Sequence, residues 1–140
     1  MALAVLERGH KVIATSRARS LPKLAELEER GARILELDVV APLSKLQEVA
    51  KKAVEIYGKI DVVVNNAGYV AFGALEENTY VSSLLVTPSL IYGVDSPQET
   101  VDQFDTNVFG GLNVARAFLP YMRPRATGTI VWIGSLAGYR

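Results

Sequence analysis

The feature that most restricts how this chain can fold is an alternation of short apolar runs with segments of helical spacing. Such alternation builds βαβ units, whose successive strands run the same way, so it specifies a parallel sheet covered by helices. Lys11 to Thr15 (KVIAT) is the first β-branched run, set off by Gly9, and Arg33 to Leu37 (RILEL) is the second. Between them, Leu21 to Arg30 has apolar residues at 21, 24 and 27 with charges elsewhere, the pattern of a surface helix stopped by Gly31. Pro42 to Tyr57 sets Leu43, Leu46, Val49, Ala50, Ala53 and Val54 on one helical face, and Gly58 is placed to cap it. Ile60 to Val64 (IDVVV) follows, apolar enough for burial on both faces. Pro97 to Met122 reads as helical throughout, with its Gly110–Leu119 stretch on the sheet, and Thr129 to Ile133 (TIVWI) is the last strand.

Two segments fit this alternation less well. Met1 to Leu6 has the pattern of the back half of an amphipathic helix; it is too short, and lacks the basic flank, for a secretory signal. Tyr80 to Ser96 contains no basic residue, little helical period and a central Pro88, which makes it an unusually long connection inside a compact βαβ unit.

Composition narrows the chemistry. Apolar residues make up 49% of the chain, enough for a core. Fifteen basic residues balance fifteen acidic ones, so no global field draws in nucleic acid or an anionic membrane. There is no Cys, which excludes disulfides and thiolate metal sites, and the lone His10 cannot assemble a His-based one. No apolar run approaches the ~20 residues that span a bilayer. The expectation is a soluble, cytoplasmic protein that acts on a small molecule, with no metal and no nucleic-acid partner.

Ligands of open parallel sheets sit beyond the carboxyl ends of the strands. The strand Ile60–Val64 runs directly into Asn65, Asn66, Ala67 and Gly68, and is therefore well placed to meet one. Ala67 and Gly68 are small enough to let a flat ring and a ribose approach the backbone, and the Asn amides can tie neighbouring strands together. An isolated turn of this composition would equally serve as a structural Asx turn.

In its context the turn is one of several ordered motifs, and together they resemble the short-chain dehydrogenase/reductase family. Ala4 to Thr15 is similar to the helix and second strand that follow the family's glycine-rich loop. Asp38 and Val39, after Leu37, resemble the end of the third strand, where the family contacts adenine. Asn65 to Gly68 resembles the NNAG motif, and Asn107 to Gly110 the N-V-x-G motif, whose Asn belongs to the catalytic tetrad. Gly128 to Ser135 resembles the strand that ends in the catalytic Ser. The resemblance covers nearly the whole chain apart from residues 80–96. It implies a Rossmann-like, doubly wound α/β sheet. It also implies an oxidoreductase that moves hydride between a nicotinamide and a carbonyl or alcohol carbon, with Ser135 orienting the substrate and Asn107 holding a relay water. Bland roles stand beside these: Asp38 could cap the next turn, Asn107 could bond backbone within its helix, and Ser135 could be a loop hydroxyl. Lipid, steroid, sugar and polyketide carbonyls all remain open as substrates.

The same resemblance addresses the choice of cofactor. An acidic residue at the end of the strand Lys11–Thr15 would bond the ribose 2′-hydroxyl of NAD, whereas a guanidinium accommodates the 2′-phosphate of NADP. Here the strand is followed by Arg17, with Arg19 close behind, and no Asp or Glu lies between Lys11 and Lys23. NADP is the expected cofactor and NAD the lesser alternative, with solvated loop arginines as the bland reading.

The resemblance also locates what the chain is expected to lack. The family's first strand and T-G-x-x-x-G-x-G loop would precede Met1, and its Tyr-x-x-x-Lys pair would follow Ser135 at a greater distance than Tyr139. The reading is a partial NAD(P)-binding Rossmann domain over residues 1–140, lacking the first strand and the C-terminal part. It is expected to be inactive alone, and its unpaired strand edges to fold poorly and associate. A non-catalytic nucleotide-binding or regulatory protein with the same fold is the alternative. Homo-oligomerisation of the complete protein is implied through two long helices, one of them Pro97–Met122. Joining Thr79 to Pro97 recreates a helix start, with Thr79 as N-cap and Glu99 three positions after the cap once residues 80–96 are removed, so residues 80–96 read as an insertion, with a genuine substrate loop near the cofactor face as the alternative.

Overall fold

Helix α3 (Leu43–Tyr57) shows how the sequence pattern becomes packing. Pro42 is extended, with ψ 144°, and stands just outside the helix, its carbonyl accepting the N–H groups of Lys45 and Leu46. Gly58 ends the helix in the left-handed region at φ 79°, where a side chain would be strained, and its N–H bonds the Val54 carbonyl. The apolar stripe between these ends buries Leu46, Ala50 and Ala53, while Leu43 at its start stays exposed. Full burial of one leucine is worth about 1.5–3 kcal/mol, and three such positions at helical spacing fix which face turns inward.

The computed structural model describes residues 1–70 and 97–135. Its elements run in the expected order. Helix α1 (Ala2–Glu7) leads to strand β1 (Ile13–Ser16). A 3-10 segment (Ala18–Leu24) then passes into the short helix α2 (Ala25–Glu29) and strand β2 (Arg33–Glu36). After α3 come strand β3 (Val62–Asn65), helix α4 (Pro97–Phe104), a π-helical turn (Asp105–Gly110), helix α5 (Gly111–Met122) and strand β4 (Thr129–Trp132).

Three expectations are corrected in detail. The surface helix around Leu21–Arg30 is α-helical only from Ala25; Pro22, which has no N–H to donate, lies inside the tighter 3-10 turns. The helix Pro97–Met122 is α-helical in two pieces, interrupted by the π turn around Asn107. The strand after α3 is not buried on both faces: Val63 is buried, but Val62 and Val64 are 54% and 39% exposed. Val63 faces the helices α3 and α5, and its alternating neighbours point the other way. The junction Tyr80–Ser96 and the residues Ala137, Gly138 and Tyr139 lie outside the described residues.

All pairing is parallel, as the alternation requires. Strand β1 pairs with β2 in the register Ile13↔Arg33 to Ser16↔Glu36, and β3 pairs with β4 from Val62↔Thr129 to Asn65↔Trp132. Among the described residues no ladder joins β1 to β3, so the strands form two parallel pairs. The core lies on one side of β3. There Leu46, Ala50 and Ala53 of α3 meet Val63, and Val114, Ala117, Phe118 and Met122 of α5 close over them. Partly buried Ile13, Leu35, Leu37 and Val39 bring the β1–β2 pair onto the same cluster.

Candidate active site

Within each parallel pair the carboxyl ends lie side by side, and a crevice lined by Val39, Asn65, Ala67 and Asn107 brings the two pairs' ends together. The β3–β4 ladder continues one step past the strands, with the Ile133 N–H donating to the Asn65 carbonyl at 3.0 Å. The turn Asn65–Gly68 and the segment Ile133–Ser135 therefore leave the sheet side by side. Ser135 is exposed at that edge. The β1–β2 ladder ends in the same way, with the Leu37 N–H donating to the Ser16 carbonyl at 2.9 Å. Arg17 and Asp38 consequently leave adjacent strands at the same level.

Asn107 is the residue that closes the site. Its side-chain oxygen accepts the Tyr69 N–H at 3.0 Å, and its side-chain nitrogen donates to the Tyr69 carbonyl at 2.8 Å. The π turn makes this reach possible, since wider i→i+5 bonding changes where a residue on it points. A Cβ on Gly68 would lie 3.1 Å from the Asn107 oxygen, so the turn runs close beneath that side chain. Asn65 ties the same helix from below, its side-chain nitrogen donating to the Gly111 carbonyl at 3.2 Å. Asn66, Ala67 and Gly68 stay exposed on the turn.

The remaining expected residues fall as follows. Asp38 makes the capping bond of the bland reading, its Oδ1 accepting the Val40 N–H at 3.2 Å. Val39 is half-buried and lines a crevice of about 30 Å³ together with Asn65, Ala67, Asn107, Gly111, Trp132 and Ile133. Arg17 is exposed and makes no ion pair among the described residues, although its carbonyl is held by the Ser20 N–H. Sequence reasoning missed Tyr69, Gly111 and Trp132 as parts of this edge. The available signals were the position of Tyr69 directly after the NNAG turn and the Gly110–Gly111 doublet directly after the N-V-x motif.

The opposite edge carries the one strongly charged cluster of the sheet among the described residues. Asp61 pairs with Lys59 at 3.0 Å and with Arg125 at 3.2 Å, and Arg125 also donates to the Ile60 carbonyl at 2.9 Å. The hydrogen bond from Lys59 holds the Asp61 carboxyl below its ordinary value; desolvation opposes it, and the charges of Lys59 and Arg125 add to the lowering. No group of three metal-ligating side chains occurs among the described residues.

Comparison with known proteins fits this geometry. The family model for short chain dehydrogenase matches residues 1–140. The chain is 35% identical over 133 residues to a 3-ketodihydrosphingosine reductase of Bacteroides thetaiotaomicron, which covers 94% of this chain and 40% of the relative. It is 34% identical over 139 residues to an NADPH-dependent pterin aldehyde reductase of Arabidopsis thaliana, covering 96% and 50%. The chain thus spans about half the length of such relatives or less. Among solved structures, a short-chain dehydrogenase from Streptomyces avermitilis superposes with a TM-score of 0.74 at 33% identity, over 99% of this chain and 45% of that one. The chain belongs to the short-chain dehydrogenase/reductase family, with its Rossmann-type fold.

Proposed function

We propose that these residues form the recognition part of an NADP-dependent oxidoreductase site, and that the complete protein moves hydride between nicotinamide and a carbonyl or alcohol carbon. The observation that carries this reading is the pair of hydrogen bonds between Asn107 and the Tyr69 backbone, which anchors the end of the small-residue turn after β3. The residues present fit the cofactor. Arg17, without an ion pair among the described residues, would take the 2′-phosphate, and Asp38 and Val39 would meet the adenine. Asn65, Asn66, Ala67 and Gly68 would form the floor for the ribose and ring. The NADPH-dependent relative supports the same preference over NAD. When bound, the cofactor supplies the hydride; Ser135 would orient the substrate oxygen, and Asn107 would fix the turn and hold a relay water.

No Tyr of the chain is followed by Lys four positions later. The part of the reading that these residues can test is cofactor binding, which the alternative of a non-catalytic nucleotide-binding protein also requires. Calorimetric titration with NADPH and NADH tests the binding assignment: NADPH is expected to bind more tightly, and equal affinity or none would sink it. Turnover of a carbonyl substrate by the complete protein separates enzyme from non-catalytic binder.

We read residues 1–140 as one NAD(P)-binding unit with an insertion at 80–96. A homo-oligomer is supported by a stripe along α4, the π turn and α5, where Val101, Phe104, Val108, Phe109 and Leu112 are all 39% exposed or more. No helix among the described residues is long and apolar enough to cross a membrane, and a cytoplasmic setting is our reading.

A further inference from the structure

The π turn that carries Asn107 is pinned from two sides through adjacent glycines. A Cβ on Gly110 would come within 2.8 Å of Val39 Cγ2 and 3.0 Å of the Asp105 carbonyl. A Cβ on Gly111 would overlap Cζ3 of Trp132 and lie 2.8 Å from its Cη2. Trp132 is the single tryptophan of the chain and pairs in register with Asn65, whose side chain bonds the Gly111 carbonyl. The six-membered ring of the indole therefore lies where any side chain at position 111 would have to go.

We propose that Gly111 and Trp132 are a matched pair that positions Asn107. The indole, seated on the bare backbone at Gly111, sets how close the start of α5 comes to β4. That spacing fixes the π turn, and with it the bonds from Asn107 to Tyr69. Trp132 is thus a positioning residue for the turn on which the cofactor would rest. The inference rests on the reading of that turn as the cofactor site, but its mechanical part is measurable with no cofactor present.

Amide hydrogen exchange on the 140-residue chain tests it at two N–H groups. The Tyr69 N–H bonds Asn107, and the Thr129 N–H bonds the Asp61 carbonyl at the far end of the β3–β4 ladder. Gly111→Ala is expected to lower protection at Tyr69 by about tenfold or more while Thr129 changes by less than about threefold. Adding Trp132→Phe to Gly111→Ala removes the overlapping part of the ring and is expected to restore most of the Tyr69 protection. Where Gly111→Ala leaves the rest of the chain protected, parallel loss at both groups, an unchanged Tyr69, or no rescue by the double variant would each overturn the proposal. Should Gly111→Ala abolish protection everywhere, Trp132→Phe alone decides: selective weakening at Tyr69 supports positioning, and parallel or no change refutes it. Titration of the unmodified chain with NADPH separates the two layers. Absent binding counts against the cofactor reading, whereas the exchange pattern alone judges the pair.

Discussion

Asn107 grips Tyr69 by both of its main-chain polar groups, across a gap of 38 positions in sequence. A side-chain amide matches a peptide in donor and acceptor, so Asn is the residue type that can pair in this way at this reach. The pair sits at an exposed edge, so each bond contributes toward the low end of the usual range of about 0.5–1.5 kcal/mol. Its weight is in placement: it fixes where the NNAG turn ends.

Removing the carboxamide tests this directly. Asn107→Ala is expected to destabilise the fold by about 1–2 kcal/mol and to raise Tyr69 amide exchange. Asn107→Asp keeps an acceptor for the Tyr69 N–H but sets a carboxylate against the Tyr69 carbonyl, and is expected to be no better than Ala. Chemical denaturation with site-resolved exchange checks both; retained Tyr69 protection in the Ala variant would mean that Asn107 does not place the turn.

Arg17 governs the second expectation. A guanidinium bonded to a phosphate contributes about 1.5–3 kcal/mol, which corresponds to roughly tenfold to a hundredfold in affinity. Arg17→Ala is expected to weaken NADPH binding by that factor and to leave NADH binding within about twofold. Calorimetry with both cofactors reads the difference. If Arg19→Ala carries the effect and Arg17→Ala does not, the phosphate contact moves two positions along the loop.

Much of the candidate site's layout was legible because the residues that would form it are local in sequence. Asn65 to Gly68 follow a strand, Asn107 precedes two glycines, and Ser135 ends an apolar run. The identity of these residues already implied what they could bond. The fold was legible as far as periodicity reaches, hence α3 with Leu46, Ala50 and Ala53 inward. What escaped depends on distant partners. The π turn over residues 105–110 was not legible as a periodic pattern, and the residues lying against its Gly110 and Gly111, Val39 and Trp132, come from distant parts of the sequence. Likewise Val62 and Val64 share the composition of Val63, and only the location of α3 and α5 decides which of them is covered.

Asp61 gives a dependence on pH. Its folded pKa lies below the ordinary carboxylate value, chiefly through the hydrogen bond from Lys59 and then the charges of Lys59 and Arg125. A lowered folded pKa means that the unfolded chain takes up the proton first as pH falls. The contribution of Asp61 is therefore fully present above the ordinary value and is lost as pH drops through that value to the folded one. The carboxylate is exposed, so the effect is small and screened by salt. Thermal melts of the chain and of Asp61→Asn, followed downward from about pH 6, are expected to converge at the acid end. Parallel curves over the whole range would show that the cluster contributes nothing.

The two strand pairs set the last expectation. Parallel strands are stable when flanked and covered, and a two-stranded sheet alone is marginal. Here β3 and β4 share a face with α3 and α5, whose side chains supply most of the buried cluster. The β1–β2 pair adds only partly buried residues to that cluster and is joined to β3 by no ladder among the described residues. Its link to the rest is packing without hydrogen-bonded continuity, and cooperativity between the pairs is correspondingly weak. The 140-residue chain is expected to lose β1–β2 protection at lower denaturant than β3–β4 protection. It is also expected to associate as concentration rises, because Val62, Val64 and the strand edges unpaired among the described residues are open to another chain. Exchange measured across a denaturant series, with light scattering at two concentrations, reads both. One sharp transition shared by Leu37 and Ile133 amides in a monodisperse sample would mean that packing alone joins the halves. In that event the absence of a ladder between β1 and β3 costs the fold little.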